Sequence, residues 1–167
     1  MYWLNPVTDR TAEDVEYASA KIAEWREIMA QGQVPTVTDL KGCLNANDLN
    51  RIEHNIGFLL YILNNVRPDI PLTMTIKTDW DRADFPTASH VSRVLNNLQS
   101  LRTHYYDHPM SPATPNSLLT YNQVNAVERA LELFKTMAIT KWSKLEGSDW
   151  GTAENYTWDT IVILGGF

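Results

Sequence analysis

Three residues have the types and spacing to hold a metal: His104, Asp107 and His108. Histidines four apart share one helical face, and an aspartate between them adds the oxygen donor that zinc accepts. Such a centre would serve a metal-dependent hydrolase of cell-wall or surface glycan. The familiar helical zinc site also needs a glutamate directly after the first histidine, and a third ligand. Here Tyr105 follows His104, and Pro109 ends any helix directly after His108. A polar helix end, with imidazoles near the negative pole of the helix dipole, accounts for the same residues. That reading is preferred, so neither a metal nor a cofactor is expected. A sugar platform is the next candidate. Trp150 and Trp158 stand beside Asp149 and Asp159, so a ring could stack on a sugar face while a carboxylate takes its hydroxyls.

The remaining reactive side chains form no converging set. His54 and His90 sit near expected helix starts without an acid–nucleophile arrangement. Asp79 with Asp81, and Glu128 with Glu132, are paired acids. Neither pair comes with the apolar, tryptophan-lined cleft that raises a carboxylate pKa, and both read as solvated surface. The chain contains no glycine-rich phosphate loop, nucleophile elbow or Cys-x-x-Cys. Cys43 is the single cysteine. It excludes an intrachain disulfide and reads as a small buried hydrophobe.

Elements capable of positioning these groups are helical. Asn45 is a good N-cap that Asp48 can answer across a capping box. From that cap, the positions 4, 7, 11 and 14 further on are Leu49, Ile52, Ile56 and Leu59. This is one stripe of an amphipathic helix. The same offsets from Thr87 give Val91, Val94, Leu98 and Leu101, and from Thr120 they give Val124, Val127, Leu131 and Phe134. From Thr11 the match is looser: Val15, Ala18, Ile22 and Trp25. Four copies in register point to a duplicated helical unit or to convergent demands on short antiparallel helices. Trp25, on its stripe, reads as core.

The expected fold is therefore mainly α, a single domain over 1–167: an antiparallel bundle of about four helices with a minor pair of extended segments or short β-strands. The helices fall at about 12–30, 46–65, 88–103 and 121–143, and residues 144–157 read as loop. The second helix is the most apolar and should be central. The runner-up is a three-helix core with the first or fourth helix swung away. Leu72, Met74 and Ile76 alternate with polar residues, so 72–78 reads as extended. Its backbone groups need partners: either the tail segment 157–164 pairs with it, or both lie on the bundle.

Two polar pairs, Arg51 with Asn55 and Arg93 with Asn97, recur at one register beside the stripe. With Asn45 and Asp48 they read as devices that specify the fold, since an unpaired buried amide costs about 1–3 kcal/mol. Of the aromatic residues outside the expected helices, six are the candidates for contact: Tyr2, Trp3, Trp80, Trp150, Tyr156 and Trp158. Rings in loops are candidate contact sites; Trp80 and Trp158 could equally fold back to seal the bundle.

Composition bounds the partners. The 167 residues carry 14 basic and 20 acidic side chains, a net charge of −6, which argues against nucleic acid because phosphate binding needs a concentrated basic face. No run approaches the roughly 18 apolar residues of a membrane span. The start has no basic n-region and no apolar h-region, so synthesis in a bacterial cytoplasm is expected. The ending Gly165-Gly166-Phe167 suits a chain that once continued, or an excised domain.

Three stretches carry a resemblance: NPVTDRTAEDV at 5–15, KGCLNANDLNRIEHNIGFL at 41–59, and KTDWDRADFPTASHVSRVLNNLQSLR at 77–102. Together they resemble poorly characterised structural proteins encoded among the tail genes of bacteriophages and prophages of Firmicutes and other gut bacteria. The resemblance covers roughly residues 3–105, with Cys43-Leu44 standing where an aromatic often precedes the cap asparagine. It implies a virion component, part of a tail tip or fibre, with no reaction of its own. Its expected partners are other virion or tail proteins, further copies of itself, or a surface glycan; a carbohydrate-binding module is the alternative of a different class.

Overall fold

Each helix begins where a side chain takes over its first free amides. The computed structural model describes residues 2–66, 68, 70–104 and 115–149, with side chains in the last helix as far as Ala138. Helix α1 (Ala12–Ala30) opens on a reciprocal capping box between Thr11 and Asp14. Helix α2 (Ala46–Val66) opens on the same exchange between Asn45 and Asp48, at 3.0 and 3.3 Å. Helix α3 (Ala88–His104) uses Thr87 and His90, whose Nδ1 accepts from the Thr87 amide at 3.2 Å. Helix α4 (Tyr121–Asp149) uses Thr120 and Gln123. Each box satisfies amides that a helix start otherwise leaves to water. At the other end of α1, Gly32 takes a φ of 76°, the left-handed conformation that glycine adopts without steric penalty.

The fold is mainly α, a four-helix bundle, as the capped stripes predict. Helix α4 is six residues longer than expected, ending at Asp149 instead of 143. Lys144, Leu145 and Glu146 are good helix formers, and a single Gly147 costs only about 1 kcal/mol, too little to stop a helix already propagating.

The core lies among three of the helices. Helix α2 packs on both α3 and α4, and α3 packs on α4. Ile52, Ile56 and Leu59 of α2 meet Val94, Leu98 and Leu101 of α3 and Val127, Leu131 and Phe134 of α4 in one buried cluster. Burying each such side chain contributes about 1.5–3 kcal/mol. The central place expected for α2 follows from its wide apolar surface: Leu63 continues the stripe, and Phe58 and Ile62 add a second apolar side.

Helix α1 contributes no side chain to this cluster, and only Ala18 of its stripe is buried. Trp25, expected in the core, is half-buried and outside it. The physical reason is the stripe itself: with alanine at its second position and charged residues crowding its flanks, α1 offers little apolar area. What fixes α1 is its first turn. A Cβ on Gly42 would stand 2.0 Å from the Asp14 carbonyl oxygen, so the connector 31–44 crosses α1 backbone against backbone. Lys41 adds ion pairs to Asp9 at 3.0 Å and Asp14 at 3.3 Å.

Residues 2–10 and 71–80 are neither helix nor strand. They lie on the bundle as two extended straps, the second of the two arrangements expected for 72–78. The segment 157–164 is outside the described residues.

Candidate functional site

An extended strap without a sheet must still satisfy its amides and carbonyls, and here side chains of the helices do so. Asn125 Oδ1 accepts from the Arg10 amide at 3.3 Å while its Nδ2 donates to the Arg10 carbonyl at 2.8 Å. Asn55 brackets Leu4 in the same way, at 2.9 and 2.8 Å. On the other strap, Asn64 brackets Leu72 at 2.8 and 2.9 Å, and Asn50 brackets Trp80 at 2.8 and 2.9 Å. A carboxamide carries one donor and one acceptor side by side, as a peptide group does, so each asparagine replaces a neighbouring strand.

Two carboxylates complete the arrangement. Glu128, fully buried, accepts from the Val7 amide at 2.8 Å, from Arg10 Nη2 at 3.0 Å, and from Arg51 Nε and Nη2 at 2.9 and 2.6 Å. Glu53, also fully buried, accepts from the Lys77 amide at 2.8 Å, from Trp80 Nε1 at 2.8 Å and twice from the Arg93 guanidinium. Each carboxylate thus holds four donors. That matches its roughly four lone-pair sites, so each carboxylate is fully engaged in holding a strap and its arginine partners.

The two clasps follow one rule. Asparagine and glutamate stand 5 and 8 residues past the cap on one helix: Asn50 and Glu53 on α2, Asn125 and Glu128 on α4. Arginine and asparagine stand 6 and 10 past the cap on the helix alongside: Arg51 and Asn55 on α2, Arg93 and Asn97 on α3. The glutamate takes a strap amide three residues before the bracketed residue, and the side chain of that residue (Arg10 or Trp80) bonds to its Oε1. Helix α2 carries both sets and so belongs to both clasps. Asn97 Nδ2 donates to the Thr75 carbonyl at 2.8 Å, as Asn55 does to Leu4.

Electrostatics close around Arg10. Two guanidinium groups, Arg10 and Arg51, face two carboxylates, Asp48 and Glu128, so the buried tetrad is neutral. Burial opposes the Arg51 charge, but Glu128 and then Asp48 more than offset it and hold the guanidinium above its ordinary pKa. Arg10 Nε is the one buried side-chain nitrogen or oxygen without a partner among the described residues.

The expected fold-specifying residues Asn45, Asp48, Arg51, Asn55, Arg93 and Asn97 thus lie in the caps and clasps. Among the interaction candidates, Trp80 is instead only 5% exposed. Its indole turns inward because Glu53 takes its N–H, with His90 packed edge-on at 5.1 Å. Trp3 is half-buried, edge-on to Phe58 at 5.6 Å with the Lys135 ammonium over its ring. Tyr2 is exposed beside His54. Trp150, Tyr156 and Trp158 lie outside the described residues, as do Asp107 and His108; His104 ends α3, half-buried.

Two further expectations change. Glu128, taken as surface beside Glu132, is buried because two arginines and an amide neutralise it. Cys43 is half-buried rather than buried, and its thiol pKa is pushed up by desolvation and then by Asp48, both of which disfavour the thiolate. Missing from the sequence-based candidates were Arg10, Asn50, Glu53, Asn64 and Asn125. For Asn50, Glu53, Asn125 and Glu128 a signal existed: Asn-x-x-Glu at the same offset from two caps.

No family model matches the chain, and neither a curated protein nor a solved structure does so.

Proposed function

We propose that the chain is a non-enzymatic structural and interaction module of a phage or prophage tail, which presents a rigid helical body to neighbouring virion subunits or to a host surface. One observation carries this reading: the stretches that resemble phage tail proteins contain most of the clasp residues. Arg10 lies in 5–15; Asp48, Asn50, Arg51, Glu53 and Asn55 lie in 41–59; Trp80, Arg93 and Asn97 lie in 77–102. On this reading those stretches specify a scaffold: Glu53 within them and Glu128 on α4 are saturated with donors that hold the straps. Rigidity of this kind suits a part whose task is to hold a surface in place.

The direct test is quantitative mass spectrometry of particles induced from the bacterium that encodes the chain. The reading expects the chain at a fixed whole-number ratio to tail subunits in purified particles, together with cyclic oligomers in native mass analysis. Its absence from washed particles overturns the virion role.

A further inference from the structure

A cleft of about 340 Å³ opens between the connector and the turn that precedes α3. One part of its wall is apolar: Val37, Leu40, Leu44, Phe85 and Pro86. The other part carries three carboxylates, Asp39, Asp81 and Asp84, and one cation, Arg82. Beside it Lys77 pairs with Asp79 at 2.8 Å and with Asp84 at 3.2 Å, and Arg82 pairs with Asp39, so four carboxylates face two cations, an excess of two negative charges (4 − 2), and Asp81 has no ion-pair partner among the described residues.

Both walls are fixed. Arg82 ties them together, donating to the Val37 carbonyl at 2.8 Å and to Asp39 at 3.1 Å. Asp81 Oδ1 accepts from the Ala83 and Asp84 amides at 2.7 and 3.1 Å, and Asp84 Oδ2 accepts from the Asp81 amide at 3.2 Å. Buried Trp80 anchors one end of this turn and the Thr87 cap anchors the other. Phe85 is held between them at 84% exposure, with Val37 also exposed. A phenyl ring fixed in water at the edge of a cleft is a surface that association can cover.

We propose that this cleft seats an extended segment of a different polypeptide, one that sets a bulky apolar side chain against Phe85 and Val37 and a lysine or arginine beside Asp81. Charge decides the class of partner. A cationic segment complements the excess of carboxylates, whereas a second copy of this chain brings a further net charge of −6. The apolar wall suits an aliphatic or aromatic side chain better than a sugar, whose hydroxyls would meet Val37, Leu40 and Leu44 unpaired. The proposal deepens the interaction-module reading, and rests on it only in taking the neighbour to be a virion subunit.

The test uses the full chain, labelled with 15N and titrated with three probes. Two are synthetic heptapeptides with leucine and tryptophan at the same positions, one with two lysines and the other with two glutamates; the third is maltotriose. The lysine peptide is expected to shift amides within 37–46 and 81–86, and the glutamate peptide to bind at least about tenfold more weakly. Phe85→Ala should weaken the lysine peptide by about tenfold or more with the helical circular dichroism unchanged, while Leu119→Ala, at another exposed site, should not. No shift at these amides, equal binding of the two peptides, or an undiminished Phe85→Ala overturns the proposal. Shifts at the same amides with maltotriose alone overturn it in favour of a sugar site. Particle composition and peptide binding are read separately, so either can fail while the other stands.

Discussion

Replacing Glu128 with glutamine keeps the shape of the side chain and removes the charge that faces Arg10 and Arg51. Buried Arg10 and half-buried Arg51 would then share Asp48 alone. Removing one partner of a buried ion pair costs about 3–5 kcal/mol, so Glu128→Gln should lower the unfolding free energy in urea by that amount. Glu132→Gln, one turn away and exposed, should stay within about 0.5 kcal/mol of the parent. Asn125→Ala strands both backbone groups of Arg10 at about 1–3 kcal/mol for each buried group left unpaired, again read from urea unfolding. Asp14 behaves differently because it lies at the surface, half-buried, with solvent access to its carboxylate. The Thr11 amide, in first place, and then Lys41 lower its folded pKa below the ordinary 3.8. Its contribution to the α1 cap is therefore complete above that value and is lost as pH falls through the folded pKa. Amide exchange at the start of α1, corrected for intrinsic rates, should be constant from pH 7 to 5 and accelerate only below about 3.8.

At the scale of elements, α1 and α2 share a cap-and-stripe pattern and differ in what the stripe touches. Leu59 lies fully buried at the centre of the core, whereas Ile22 is half-buried on α1. Leu59→Ala should cost about 2–5 kcal/mol by lost transfer and cavity energy. Ile22→Ala should cost clearly less, as thermal unfolding of the two variants will show. The helices were legible in the sequence because caps and periodicity are local: all four starts follow from Thr11, Asn45, Thr87 and Thr120. The end of α4 was not, since polar residues and one glycine read as loop while helix propagation carried the backbone on to Asp149. The reduced share of α1 in the core was already present in its weak stripe. The same cap offsets that yield Asn-x-x-Glu on α2 and α4 yield Glu16 and Ser19 on α1, so α1 has no clasp to bring it in.

Across the whole molecule, two neutralised polar clusters sit at the seams of an apolar core. Hydrophobic area stabilises the collapsed bundle, while the clasps select one register of straps against helices, because a shift by one residue leaves a buried carboxylate and several amides unpaired. The clasps were only half legible. Arg51, Asn55, Arg93 and Asn97 stood out by repetition, but their partners Glu128 and Glu53 lie far off in sequence, and a buried glutamate looks like a surface one until its arginine is placed. Arg10 shows the same limit: nothing within its own neighbourhood announces that it is nearly fully buried. Trp80 was legible only as two alternatives, and the Glu53 carboxylate decides between them.

Residue-resolved amide hydrogen exchange tests the clasped-strap architecture most directly. The amides of Leu4, Val7, Arg10, Leu72, Lys77 and Trp80 donate to asparagine or glutamate side chains although their segments contain neither helix nor strand. Exchange should therefore be slow at these six positions, with protection comparable to the buried turns of α2. Glu128→Gln should release Val7 ahead of Lys77. Exchange at all six as fast as in an unstructured peptide, with the helices still protected, would contradict the account: the straps would then lie on the bundle without being held by it.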